Sequence, residues 1–344
     1  MNSYICSPAT RIAIITLALL SCSPCSGLNN RPIIGVLTVP LDVGGCVTYA
    51  SEVSNTLYQN SKLNNNLSEP TSCFHNLYVQ WLESGGARVV PIPYDSPKER
   101  LDYLFEHVNG MLFTGGDVYI KNLTSPYMVT ANYLMNRVID ANNKGIHFPL
   151  WGTCMGIQTL SVLVSQDPSV LLSNKFDSEN LMLPLNFTDA AKSSKLFGAK
   201  SGIYPSVLDW FSTEPVTTNL HHDGVPPTMF QSNAKLKKFF SVLSVNTDRK
   251  GNAFTSTIEA QNYPVYGVQW HPERPQFEWG TDGTNTDPIN HDMHAISCSQ
   301  YVANFYIAEA RKNNNRFPSL KEETAALIYN YDLHGDTYYQ VYLF

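Results

Sequence analysis

A cysteine framed by glycines two positions away on either side, Gly152-Thr153-Cys154-Met155-Gly156, has the residue types and spacing of a nucleophile elbow. Both flanking positions must lack a side chain, because a strand bending sharply into a helix brings backbone against backbone there. The apolar run before the cysteine, Phe148 to Trp151, supplies the strand, and a helical pattern begins directly behind it. Unpaired N–H groups and the dipole at a helix start favour thiolate over thiol. Cys154 is therefore expected to be a catalytic nucleophile, weighed against the plainer alternative of a buried structural cysteine.

A nucleophile needs a base and a site for developing negative charge. The apolar run Val265–Trp270 ends in His271-Pro272-Glu273. In a strand-like geometry residues 271 and 273 point the same way, so Glu273 can orient His271, and the proline between them stiffens the pair. His271 would take the thiol proton and later protonate a leaving amine. Gly115-Gly116 follows another apolar run, and the N–H groups of Gly116 and Met155 are the expected oxyanion hole. No metal is expected: neither Cys154 nor His271 has a partner at ligand spacing, and the neighbours His221 and His222 point to opposite sides of an extended chain.

These groups must be held by a scaffold, and the chain spells one out. Ile33–Val39, Arg88–Pro93, Gly110–Phe113 and the run before Cys154 are apolar and of strand length, and they alternate with helical patterns. Phe74, Leu77, Tyr78 and Trp81 predict an amphipathic helix stopped by Gly85-Gly86. Ser96-Pro97-Lys98-Glu99 predicts an N-cap, a proline at the first helical position and a capping box. Helices are also predicted over 127–143 and from about 292 to 312. Later strands are expected at 181–187, 239–245, 253–259 and 265–270, the last two close enough to pair antiparallel. The tyrosine-rich end, 329–344, could add an edge strand. Strands apolar on both faces mean a mostly parallel sheet covered by helices, hence a single three-layer α/β domain. In such sheets ligands bind outside the carboxyl ends of the strands.

At 344 residues the chain can bury a full core, and 43% hydrophobic content argues against disorder. A net charge of −6 without a long basic block excludes a nucleic-acid groove. Arg11, the apolar stretch Ile12–Leu20 and the small residues Ser21–Gly27 make a secretory signal peptide over 1–26, leaving 27–344 as the catalytic domain. The apolar stretch is too short to span a bilayer, so no membrane anchor is expected. Of the seven cysteines, Cys46, Cys73, Cys154 and Cys298 remain. With Cys154 kept for chemistry, at most one bridge forms among the other three, and the sequence leaves its members open. Asn66, Asn122 and Asn186 head glycosylation tripeptides that fit a secretory route.

The segments Gly152–Gly156, Tyr266–Glu273 and Gly115-Gly116 resemble class I glutamine amidotransferases. Pro32–Leu37, Ser84–Pro91, Pro149–Cys154, Met182–Thr188, Lys235–Phe240, Asn246–Asp248, Pro264–Glu273 and Ala308–Asn314 narrow the resemblance to γ-glutamyl hydrolases, over roughly Arg31 to Tyr329. The resemblance implies a class I glutamine amidotransferase-like (flavodoxin-like) fold. It further implies hydrolysis of the γ-linked tails of folylpoly-γ-glutamates and antifolates through a γ-glutamyl thioester, in lysosomes or secretions. A homodimer without metal or organic cofactor is implied as well.

Residue by residue, Cys154, His271 and Glu273 fall on the family's triad and His221 on a further substrate-site histidine. Gly115 and Gln158 join it as substrate-binding candidates. Two positions depart from the family. Gln158 stands where the hydrolases carry glutamate, and Asp117 stands where they commonly carry serine. The competing expectations are a glutamine amidase and a catalytically inactive binding protein on the same fold.

Overall fold

The computed structural model describes residues 27–42, 46, 70–279, 289–335 and 339–344. The predicted signal peptide, most of the Asn-rich segment before Pro70, and Asn66 lie outside the described residues.

The main sheet contains β1 (Ile33–Leu37), β4 (Arg88–Ile92), β5 (Gly110–Phe113), β6 (Leu150–Thr153), β9 (Phe240–Thr247), β10 (Ala253–Ala260) and β11 (Val265–Val268), in the spatial order β4-β1-β5-β6-β11-β10-β9. A smaller sheet takes β2 (Val39–Pro40), β3 (Ser72–His75), β12 (Leu333–Gly335) and β13 (Gln340–Leu343), and β7 (Leu181–Leu183) pairs with β8 (Thr217–Asn219). From β4 through β11 every pairing is parallel, whereas β10 runs antiparallel to both its neighbours. The predicted antiparallel return between the last two strands is thus present.

The apolar residues of these strands divide with period two between two cores, one on each face. Ile33, Leu37, Met111, Phe113 and Leu150 belong to one core, with residues of the helices Lys98–His107, Pro126–Asn143 and Met155–Ser165. Ile34, Val36, Leu112, Trp151 and Tyr266 belong to the other, with the helices Asn76–Ser84 and Met293–Ala310. This is the expected three-layer α/β arrangement. On the second face Trp151 lies 5.7 Å from Trp81 and 5.6 Å from Tyr306, centroid to centroid. Each such pair adds about 0.5–1.5 kcal/mol beyond its buried area. That packing anchors the strand that ends at Cys154.

Three local expectations are corrected. Phe74 lies in β3, not in the helix, which begins at Asn76, because β3 pairs with both β2 and β13. No capping box forms at Ser96: Pro97 is the N-cap and the helix starts at Lys98 without a side-chain cap. The strand expected over 181–187 is only β7, Leu181–Leu183. The tyrosine-rich end does supply an edge strand, β12, to the smaller sheet, and β13 lies inside that sheet between β12 and β3. Cys46 and Cys73 form a disulfide, leaving Cys154 and Cys298 as free buried thiols. Among the described residues no helix is long and apolar enough to cross a membrane.

Candidate active site

Register fixes the site. Phe113 of β5 pairs with Gly152 of β6, and Thr153 of β6 with Val268 of β11, so three neighbouring strands end at one level. Gly115, Cys154 and His271 each lie within three residues beyond one of those ends. A side-chain carbon built on Gly115 would come 3.1 Å from the His271 ring and 3.4 Å from Cβ of Cys154. The three groups therefore meet across a gap that only a glycine leaves open.

Cys154 is the N-cap of Met155–Ser165, with φ 51° and ψ −106°. A non-glycine residue at positive φ carries strain that the surroundings must hold. Its N–H donates to the Val268 carbonyl at 2.7 Å. The framing glycines are required sterically: a Cβ on Gly152 would lie 2.7 Å from the Gly156 carbonyl carbon, and one on Gly156 would strike the Phe113 carbonyl.

His271 Nδ1 pairs with Glu273 Oε1 at 2.6 Å, and both residues are buried. The pair is not made by a strand, as the sequence predicts. β11 ends at Val268, and Glu273 has helical backbone angles as the N-cap of Arg274–Phe277, so a turn brings the carboxylate back to the ring. Burial alone would push the imidazole down, but the charges of Glu273 and Cys154 outweigh it and raise His271 to about 9. Burial works against the Glu273 carboxylate too, and the charge and hydrogen bond of His271 overcome it, holding it below its ordinary range. Both shifts favour a charged pair, so the proton sits on the imidazole at neutral pH.

The first turn of the helix behind Cys154 leaves the Met155 N–H without an acceptor among the described residues, as does the turn at Gly116, where φ is 151°. Gly115 differs, because its N–H donates to the Tyr78 hydroxyl at 2.8 Å. The sequence marks Tyr78 only as an apolar position of an amphipathic helix, not as part of the site. Burial, reinforced by the Glu273 and Cys154 charges, keeps its phenol protonated.

A cavity of about 550 Å³ opens over the sulfur, lined by Cys154, Met155, Gly116, Gln158, His221 and Lys121 among others. Among the described residues Lys121 is the one lysine or arginine on its lining, which also carries Asp117, Glu179 and Asp223. His221 Nδ1 bonds to the Asp223 carbonyl at 2.9 Å, which puts the proton on Nδ1 and leaves Nε2 as a buried acceptor without a partner. Burial lowers its pKa to about 3, so the ring is neutral. His222 lies beside it with Nδ1 at 3.1 Å from the Phe176 carbonyl. Gln158 donates to the Asp223 carbonyl at 2.9 Å and to Gln269 Oε1 at 3.2 Å, so both its amide hydrogens are engaged within the protein. Gln269, also unforeseen, donates to the Cys154 sulfur at 3.6 Å. Its signal was its position two residues before His271 in a run read as a strand, although β11 ends one residue before it, at Val268. Among the described residues no group of three or more His, Cys, Asp or Glu side chains is arranged to hold a metal ion. Asn122 and Asn186 are exposed.

A thiol at a strand-to-helix elbow, an imidazole–carboxylate pair beside it and, among the described residues, two N–H groups without an acceptor lie together on an α/β sheet. Comparison with known proteins gives the family. The model of the Peptidase C26 family matches residues 53–273. Human γ-glutamyl hydrolase is 42% identical over 254 residues, covering 74% of this chain and 76% of its own. Dictyostelium discoideum γ-glutamyl hydrolase B is 36% identical over 305 residues, 89% of this chain and 79% of its own. Arabidopsis thaliana γ-glutamyl hydrolase 1 is 33% identical over 327 residues, 94% and 85% respectively. The chain belongs to the Peptidase C26 family, among the γ-glutamyl hydrolases.

Proposed function

We propose that this chain hydrolyses the γ-glutamyl bonds of folylpoly-γ-glutamates and antifolate polyglutamates through a thioester on Cys154. The observation that carries this reading is the meeting of Cys154, the His271–Glu273 pair and two unpartnered N–H groups at one cavity in a Peptidase C26 chain. Cys154 Sγ attacks the γ-carbonyl, and the Gly116 and Met155 N–H groups receive the oxyanion. His271 passes its proton to the leaving amine, then takes one from the water that opens the thioester. Glu273 holds the ring and its charge. Lys121 offers a cation to a substrate carboxylate, and the Nε2 of His221 accepts from a substrate N–H. Gln158 lines the cavity, Gly115 keeps the space between Cys154 and His271 open, and no cofactor enters the scheme. The test is a comparison of a folylpoly-γ-glutamate with free glutamine. The peptide should be cleaved with kcat/KM on the order of a hundredfold or more above that for glutamine, since binding beyond the scissile bond is spent on the transition state. Equal rates would make the chain an amidase instead.

The raised His271 sets a pH dependence. Its ionised form adds stability that is complete below the ordinary value of 6.5 and is lost as pH rises through about 9. For Glu273, lowered from 4.5, the contribution is present above that value and is lost on acidification below it. The alkaline limb of kcat/KM, where the leaving amine loses its acid, should therefore fall near 9 in a pH–rate profile. A limb near 6.5 would mean that the pair is not charged.

The signal-like segment 1–26 and the exposed tripeptides at Asn122 and Asn186, with Asn66, support entry to the secretory pathway, glycosylation, and residence in lysosomes or outside the cell. A homodimer completes the proposal, on the strength of the family resemblance.

A further inference from the structure

The geometry points to Gln269 as a group that stabilises the Cys154 thiolate, with Gln158 as the positioning residue that decides which end of the Gln269 amide meets the sulfur. This rests on the reading of Cys154 as nucleophile.

The polarity of the contact follows from a chain of hydrogen bonds that has one fixed end. The Asp223 main-chain carbonyl can only accept. It takes the His221 Nδ1 proton at 2.9 Å and one Gln158 amide hydrogen at 2.9 Å, so the NH₂ end of Gln158 must lie there. The second hydrogen of that NH₂ points to Gln269 at 3.2 Å and requires its oxygen. The Gln269 NH₂ is then left facing Cys154 Sγ at 3.6 Å. Oxygen and nitrogen of an amide are assigned from such networks, and here the carbonyl leaves a single consistent assignment. Gln269 and Gln158 are both buried, so neither amide can turn to water. A hydrogen-bond donor to the sulfur favours the anion over the thiol.

Position 158 thereby reaches the sulfur without touching it. An amide there directs a hydrogen-bond donor at the thiolate. A carboxylate could not donate to Gln269 Oε1, and would turn the second amide so that an oxygen faced the sulfur. The titratable groups around Cys154 are His271 with Glu273 and Arg274, Tyr78 and His75, and, on the cavity lining, Asp117, Lys121, Glu179, His221, His222 and Asp223. Among them only His221 shares a partner with Gln158, the Asp223 carbonyl, and none is bonded to Gln269.

The test is alkylation of the full-length protein by iodoacetamide across a pH series, with the peptide containing residue 154 quantified by mass spectrometry. Gln269→Leu should move the alkylation profile to higher pH and slow the reaction on the acid side about tenfold, one pKa unit's equivalent. Gln158→Met should move it in the same direction by less, and should add nothing in the Gln269→Leu background. An unchanged profile in Gln269→Leu, or additive effects of the two substitutions, would overturn the proposal. If Gln269→Leu does not fold, the Gln158→Met profile decides by itself, an unshifted one counting against the relay. Failure of the nucleophile reading is distinguishable: wild-type Cys154 would be fully alkylated with hydrolysis undiminished.

Discussion

Cys154→Ala is expected to lower kcat/KM for folylpoly-γ-glutamate by a factor on the order of 10⁴ or more, as removal of a triad nucleophile does. Alanine keeps the Cβ, so the packing of the elbow against β5 and the helix behind it is unchanged. It also meets the same positive φ of 51° that cysteine occupies. Thermal unfolding should therefore change little, and the loss belongs to chemistry. The residual rate would come from the Gly116 and Met155 N–H groups and the cavity. Turnover retained in Cys154→Ala would remove the thioester from the scheme.

The second large effect is at His271, where the choice of replacement matters. His271→Ala leaves Glu273 buried and unpaired, and breaking a buried pair from one side costs about 3–5 kcal/mol of stability. His271→Gln keeps a donor for the carboxylate but cannot shuttle a proton. It should fold with little loss and lower kcat/KM by a factor on the order of 10³ or more. Kinetics of the glutamine variant beside its melting curve separate the two roles. A glutamine variant with near wild-type turnover would place the base elsewhere.

Both predictions rest on features that the sequence discloses unevenly. Cys154 is legible because Gly152 and Gly156 are steric requirements within five consecutive residues. The strands β1, β4, β5 and β6 are legible because both faces are buried, which leaves unbroken apolar runs. Phe74 is misplaced by helical spacing because the partner that makes it a strand, β13, arrives from the other end of the chain. His271 and Glu273 are correctly paired by proximity but through a turn, since β11 ends at Val268, before the pair, and Glu273 already has helical backbone angles. Tyr78 and Gln269 escape notice for a third reason. Tyr78 reads as one position of an amphipathic helix and Gln269 as the polar residue of an apolar run, and the meaning of each depends on which group the register of distant strands sets against it: Gly115 N–H for one, the Cys154 sulfur for the other. Periodicity reports which face a side chain takes, and says nothing of what waits there. The disulfide partners of Cys73 are open for the same reason until β3 is seen beside β2.

The central claim is that the cavity above Cys154 serves γ-linked glutamate. It is tested most directly by digesting two folate pentaglutamates, one γ-linked and one α-linked, with wild-type enzyme and resolving the products by chromatography. The γ-linked chain should be shortened and the α-linked chain left intact, at least on the order of a hundredfold apart in kcat/KM, because moving the scissile carbonyl along the side chain displaces it from the sulfur and the oxyanion donors. Cleavage of both at similar rates, or of the α-linked chain alone, would contradict it.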